Sequence, residues 1–417
     1  MSAHAGTGAD ARGPRAGTHV PGGDAGADAR GPARVVARAV VARGDGSVPE
    51  LVEVLLDPLG PRDVLVEIGA SAVCRTELMT IDRRRADPVA GAPDGRRRVL
   101  GHAAAGRVTA VGGEVTRVRA GDAVVVTGTR QCGECFFCRR GAPGACDRIF
   151  ALMERRVGET ADGEEIGSDG GIGAHVDRLV YDESNLVRVR GSLPDEELAL
   201  LGCGGPSGAG AVFDVAGVGP GQSVGISGCG HLGLWMVQAA VLAGAETVVA
   251  IDPDPWRRSR ALALGAHHAL DAGDDVVDRV HALTGGRGVD VGMEAAGSTL
   301  AMRQSFDYTR YGGRVVPTGL ESERAVVSLD NLQYSLGSRT IVGAQCGGGD
   351  VRSSVPRLER LVARGRLSAR ALITGRYGLA DAARAYAALD DPHQLTGVLS
   401  PTAPAHPHPT QHEGVPR

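Results

Sequence analysis

Four cysteines, Cys132, Cys135, Cys138 and Cys146, fall within the stretch CGECFFCRRGAPGAC. So dense a set of thiols serves either two disulfides or one metal ion. Disulfides need an oxidising compartment. The N-terminal stretch MSAHAGTGADARGPRAG lacks the basic and apolar regions of a secretion signal, and no apolar run reaches the length of a membrane span. A reducing, cytoplasmic setting is therefore expected, and the C-x2-C-x2-C-x7-C spacing then reads as four thiolates around one zinc. Gly133, Gly141 and Gly144 let the loop fold back on itself. A zinc closed by four protein ligands has no open position, so its role is structural and the chemistry lies elsewhere.

A second pattern, VGISGCGHLGLWMVQAA, places Gly228, Gly230 and Gly233 between an apolar strand and a periodic helix. The next strand, TVVAID, ends in Asp252. In this context Gly228 permits a tight turn, Gly230 lets a pyrophosphate approach, Gly233 lets the helix pack, and the helix N-terminus attracts phosphate. Asp252 is placed to accept ribose hydroxyls and to repel a 2'-phosphate, which favours NAD over NADP. Cys229 inside the turn reads as a small packing residue.

Four cysteines remain outside the cluster. Cys74 in ASAVCRTEL, Cys203 in LLGCGGPSGAG and His102 in GHAAAG supply two thiolates and an imidazole, the donor set of a catalytic zinc with one open position. Their separation in sequence cannot by itself join them. The chain contains no lysine, which excludes P-loop, Schiff-base and lysine-dependent reductase chemistries. A net charge of -4 leaves no electrostatic footprint for nucleic acid or an anionic membrane, so a small-molecule substrate is expected.

These residues need a scaffold of two kinds. RVVARAVV, ELVEVLLD, DVLVEIGA, GRVTAVG and DAVVVTG alternate with period two and predict a β-rich domain. From about residue 205, SVGISG, HLGLWMVQAAVLAG, TVVAID, PWRRSRALALG, VDVGMEAAG and GGRVVPTGL alternate strand and helix, predicting a doubly wound parallel sheet. The helical stretches SVPRLERLVARGRL and LADAARAYAAL and the strand LTGVLS then return to the first domain. The expected division is 1–33 disordered; 34–204 catalytic, with the metal loop at 131–147; 205–340 cofactor-binding; 341–400 catalytic again; and 401–417 a disordered tail. His406, His408 and His412 in that tail read as solvated.

AVCRTEL, VLGHAAAGRV, the four-cysteine loop, LLGCGGPSGAG, SGCGHLG, VVAID, EAAG and GGRVVPTGL occur in this order. Over residues 35 to 400 the chain thereby resembles the zinc-dependent medium-chain dehydrogenase/reductase superfamily, the alcohol dehydrogenases. It looks closest to the thiol-linked formaldehyde dehydrogenase branch. The resemblance implies a GroES-like catalytic domain with an inserted Rossmann domain, two zincs per chain, NAD, and a homodimer or homotetramer joined through an edge strand near VVPTGLESERAVVSL. It implies Cys74, His102 and Cys203 as catalytic-zinc ligands, Thr76 as proton relay, Arg75 at the pyrophosphate, and Glu77 behind His102. Arg257 is placed to neutralise charge near the adenosine ribose. The activity implied is hydride transfer between an alcohol, or a hemithioacetal-like adduct, and NAD. Departures are Ala103 where the family has Glu, Met79 where relatives place a relay histidine, Glu77 for Asp, and Thr396 where a phosphate-binding arginine is common. They admit two other readings: a reductase of a conjugated C=C or iminium with little active-site zinc dependence, and a non-catalytic NAD-binding protein.

Overall fold

The computed structural model describes residues 34–85, 95–149, 155–191, 193–321 and 325–403. The N-terminal 33 residues and the tail with His406, His408 and His412 lie outside the described residues. The alternating stretches near residue 40 form the antiparallel strands Val36–Ala42 and Glu50–Leu56. With Arg156–Glu159, Glu165–Ser168 and Arg97–Val99 they close a barrel. Those last three strands, of three or four residues each, are too short to display a period.

The long strand Asp63–Ala72 is the hub of a second sheet, running Leu186–Val189, Ala123–Val126, Ala104–Val111, Asp63–Ala72, Gly397–Ser400, Gly375–Gly378, with Arg178–Asp182 also paired to the hub. Gly397–Ser400 lies antiparallel to the hub's end, Val398 opposite Ala72 and Leu399 opposite Ser71. Both ends of the described chain thus build one sheet.

Between them lies a six-stranded, all-parallel sheet in the order His268–Leu270, Thr247–Ile251, Ser223–Ser227, Val289–Glu294, Thr309–Pro317, Thr340–Ile341. Numbered along the chain this is 3-2-1-4-5-6, the Rossmann order, with its topological switch beside Ser223–Ser227. Val224 and Ile226 are enclosed, as expected of a strand covered on both faces. The helix His231–Leu242 that follows is apolar nearly all round because it is a core helix. Its Trp235 has no solvent exposure, and Gly208 leaves room for it: a Cβ there would stand 2.6 Å from the Trp235 side chain. No single helix among the described residues is long and apolar enough to cross a membrane. The bent pair Asp195–Gly202 and Pro206–Ala216 passes that test only jointly, and its apolar residues are buried in the core apart from the half-buried Phe213 and Val215.

Trp235→Ala empties the largest fully buried side chain. It is expected to destabilise the fold by about 3–5 kcal/mol, read as a lowered guanidinium midpoint; a change below about 1 kcal/mol would contradict this packing.

Candidate active site

In the four-cysteine lobe, Cys135 Sγ stands 3.9 Å from Cys146 Sγ, which stands 3.7 Å from Cys132 Sγ. A disulfide needs about 2.05 Å. A tetrahedron with Zn–S of about 2.3 Å puts its sulfurs roughly 3.8 Å apart, so the spacing is that of a metal site. All four donor atoms lie within 4.8 Å of one another, the one such set among the described residues. Backbone N–H groups of Glu134 and Cys135 donate to Cys132 Sγ, and that of Cys138 to Cys135 Sγ, each at 3.4 Å. The Cys138 amide draws the Cys135 thiol down to about 7, whereas burial first, then its neighbouring thiols, push Cys138 up to about 12. Four thiols cannot all ionise without a cation, and a divalent ion resolves that conflict. Gly133 and Gly141 adopt left-handed backbones at φ 82 and φ 76. Gly144 serves differently, by close approach: a Cβ there would stand 3.2 Å from the Gln345 carbonyl.

Strand ends assemble the second cluster. Cys74 begins the turn after the hub strand, and His102 precedes Ala104, which pairs with Ser71. Cys203 ends the short helix Leu200–Gly202, whose Gly202 carbonyl accepts from the Gly128 amide at 3.0 Å. Cys74, His102 and Cys203 are near enough to shift one another's titration, although their donor atoms do not all lie within 4.8 Å of one another. A bond from Cys203 draws the Cys74 thiol far down, with His102 adding to this. The same bond, with burial, drives Cys203 up. Burial would lower His102, but Cys203 and the other partners raise it well above the usual imidazole range. All three side chains are half-buried, and two thiols with one imidazole are a donor set that fits zinc. Thr76 is exposed, its hydroxyl donating to Cys74 Sγ at 3.2 Å. Glu77 Oε1 approaches His102 Nδ1 at 3.0 Å, a hydrogen-bond distance without hydrogen-bond alignment, and has no other partner. Ala103 is buried, packed where a Cβ on Gly202 would meet it at 3.0 Å, and Met79 is half-buried.

The glycine turn has the geometry its motif predicts. Gly228 is left-handed at φ 95, and a Cβ on Gly233 would stand 1.8 Å from the Gly228 carbonyl. Asp252, 3% exposed, accepts from the Cys229 amide at 2.7 Å and the Asp254 amide at 2.9 Å. These bonds fix its plane and leave further acceptor capacity. Arg257 lies by Gly230, whose Cβ would stand 3.9 Å from its Nη1, and donates to the Pro392 carbonyl at 2.7 Å. Arg75 donates to the Leu389 carbonyl, so both arginines rest on one C-terminal turn.

Sequence reasoning missed His231, whose only signal was its place inside GCGHLG. Its Nδ1 bonds the Thr396 hydroxyl, and its Nε2 fills the space where a Cβ on Gly204 would be 1.8 Å away. Enclosure by protein pushes it down to about 4. The glycine turn and the Cys203–Gly204 step therefore adjoin across one imidazole. Cys346, also left without a role, has a left-handed backbone at φ 44, and its thiol bonds the side chains of Thr129 and Ser207.

Residues 60–191 match the alcohol dehydrogenase GroES-like domain, and residues 232–364 the zinc-binding dehydrogenase domain. The NDMA-dependent alcohol dehydrogenase of Amycolatopsis methanolica is 31% identical over 88% of this chain and 99% of its own length. The chain belongs to the zinc-dependent alcohol dehydrogenase family. Family members related to it include the S-(hydroxymethyl)glutathione dehydrogenase of a Synechocystis species, 31% identical over 87% of this chain and 99% of the relative. The solved benzyl alcohol dehydrogenase of Acinetobacter calcoaceticus superposes with a TM-score of 0.80 at 27% identity, covering 88% of this chain and 99% of that one. The chain is thus a zinc-dependent oxidoreductase of alcohol and carbonyl groups, and the zinc-independent reductase and non-catalytic readings are not favoured.

Replacing Cys138 with Ser is expected to remove one zinc per chain and lower the thermal midpoint, by elemental analysis and calorimetry. Unchanged zinc content would contradict a four-thiolate site.

Proposed function

We propose that this chain moves a hydride between a primary alcohol and NAD, with catalytic zinc held by Cys74, His102 and Cys203. The observation that carries this reading is the meeting of the donor cluster and the cofactor turn across His231 and Gly204. Bound there, zinc supplies Lewis acidity that eases loss of the alcohol proton. The Thr76 hydroxyl both accepts and donates, so it takes that proton at Oγ1 and, with Met79 in place of a relay histidine, passes it to ribose or water. Glu77 orients His102. The N-terminus of His231–Leu242 holds the pyrophosphate, with Arg75 and Arg257 beside it, and Asp252 takes the adenosine ribose. Relatives are named for S-(hydroxymethyl)glutathione, geraniol and benzyl alcohol. Each of these compounds carries a CH2OH group, which we take as the substrate class.

Residues 205–340 are taken as the cofactor domain and 34–204 with 341–400 as the catalytic one. The eight free cysteines suit a cytoplasmic setting. The strand of VVPTGL, Thr309–Pro317, is not the edge expected from the sequence, because Thr340–Ile341 pairs along its outer side. A second copy is proposed to cover Thr340–Ile341, paired on one side only, and the exposed Leu332 and Leu336 of the preceding helix. Light scattering is expected to give a dimer or tetramer; a monomer at micromolar concentration contradicts this.

The activity is tested by following NADH formation with benzyl alcohol, geraniol and S-(hydroxymethyl)glutathione. Thr76→Ala is expected to lower kcat by roughly 10²–10⁴-fold with NAD affinity unchanged. Hydride transfer that survives this substitution would shift the reading to a reductase without alcohol deprotonation.

A further inference from the structure

The second carboxylate oxygen of Glu77 is held from the side opposite His102. Oε2 accepts from the Cys74 amide at 3.1 Å and the Tyr386 hydroxyl at 2.8 Å, and lies 3.2 Å from His175 Nε2. His175 has no solvent exposure, and its other nitrogen, Nδ1, is 2.8 Å from the Ser71 hydroxyl. A carboxylate can only accept, so Nε2 presents its hydrogen to Glu77, and in the neutral ring the Ser71 hydroxyl donates to Nδ1. The ring is also pinned by backbone. Its amide donates to the Leu100 carbonyl at 2.8 Å, and its carbonyl accepts from the Val40 amide at 2.9 Å. Gly101, left-handed at φ 92, makes the space: a Cβ there would stand 2.7 Å from His175 Nδ1. The residue immediately before the ligand His102 is thus shaped around His175, and the carboxylate behind His102 is gripped by it.

We propose that His175 is a positioning residue for the Cys74–His102–Cys203 metal site, acting through Glu77. This rests on the zinc reading above. By fixing the plane of Glu77, His175 keeps Oε1 within 3.0 Å of His102 Nδ1, so that the carboxylate can take up a hydrogen on Nδ1 once the ring settles and Nε2 is the nitrogen left for a metal. Tyr386 supports the same oxygen from the C-terminal helix Ala382–Ala387. Glu77 is one methylene longer than aspartate, and a longer carboxylate swings further unless its far oxygen is tied.

The test uses the full chain, stripped of metal and reloaded with zinc or with cobalt(II). His175→Phe keeps ring volume and removes both polar contacts; His175→Gln keeps a donor and an acceptor. Chelator competition on His175→Phe is expected to show the catalytic-site metal held roughly 10–100-fold more weakly, with the lobe zinc unmoved as internal control. The visible spectrum of the cobalt form should shift, and His175→Gln should recover most of the affinity and the spectrum. A folded His175→Phe with wild-type affinity and spectrum overturns the proposal. Should that variant fail to fold, Tyr386→Phe removes one donor to the same oxygen, and an unchanged cobalt spectrum there overturns it equally. Wild-type protein that holds the lobe zinc alone would instead overturn the metal reading on which this one stands.

Discussion

Glu77 carries its negative charge at a position 1% exposed to solvent. Burial alone would push its carboxyl up, yet His175 and His102 hold it well below the usual carboxylate range. A buried charge persists only among donors and opposite charge. Those partners come from separate parts of the chain: the turn at Cys74, His102 ahead of strand Ala104–Val111, His175 ahead of strand Arg178–Asp182, and Tyr386 near the C-terminus. The sheet must close on its hub strand, and the C-terminal segment must return to it, before the carboxylate is satisfied. The proposed metal site and the fold are therefore coupled through one side chain.

The structural lobe is tied to the same region from the other side. Gln131, at its base, donates to the Gly349 carbonyl at 2.9 Å and accepts from the Val351 amide at 2.9 Å. Thr129 bonds the Cys346 thiol, and Gly144 lies against Gln345 and Gly348. The segment 345–351, which connects the parallel sheet to helix Val351–Ala363, is thus clamped by the lobe. A zinc in the lobe, with no chemistry of its own, would still hold this segment in place beside the proposed catalytic cluster.

Much of this was legible in the residues. The lobe and the glycine turn are local motifs, and the strands and helices around Ser223–Ser227 showed as alternating apolar runs; the helix His231–Leu242, expected to be periodic, is apolar nearly all round because it lies in the core. Cys74, His102 and Cys203 were joined by family resemblance, because strand pairing sets their proximity and no spacing encodes it. The short barrel strands escaped notice for want of length. His175 and Tyr386 could not be found because a buried polar side chain in an apolar context, whether loop or helix, looks like any core residue until its partner, distant in sequence, is known. Arg75 and Arg257 were read individually; that they rest on the same 389–392 turn is a tertiary fact.

The most direct measurement is zinc per chain, by elemental analysis of protein purified without a metal-binding tag, for wild type and Cys74→Ser. The account predicts two zincs falling to one. One zinc in both would leave the lobe as the only metal site and contradict a zinc held by Cys74, His102 and Cys203.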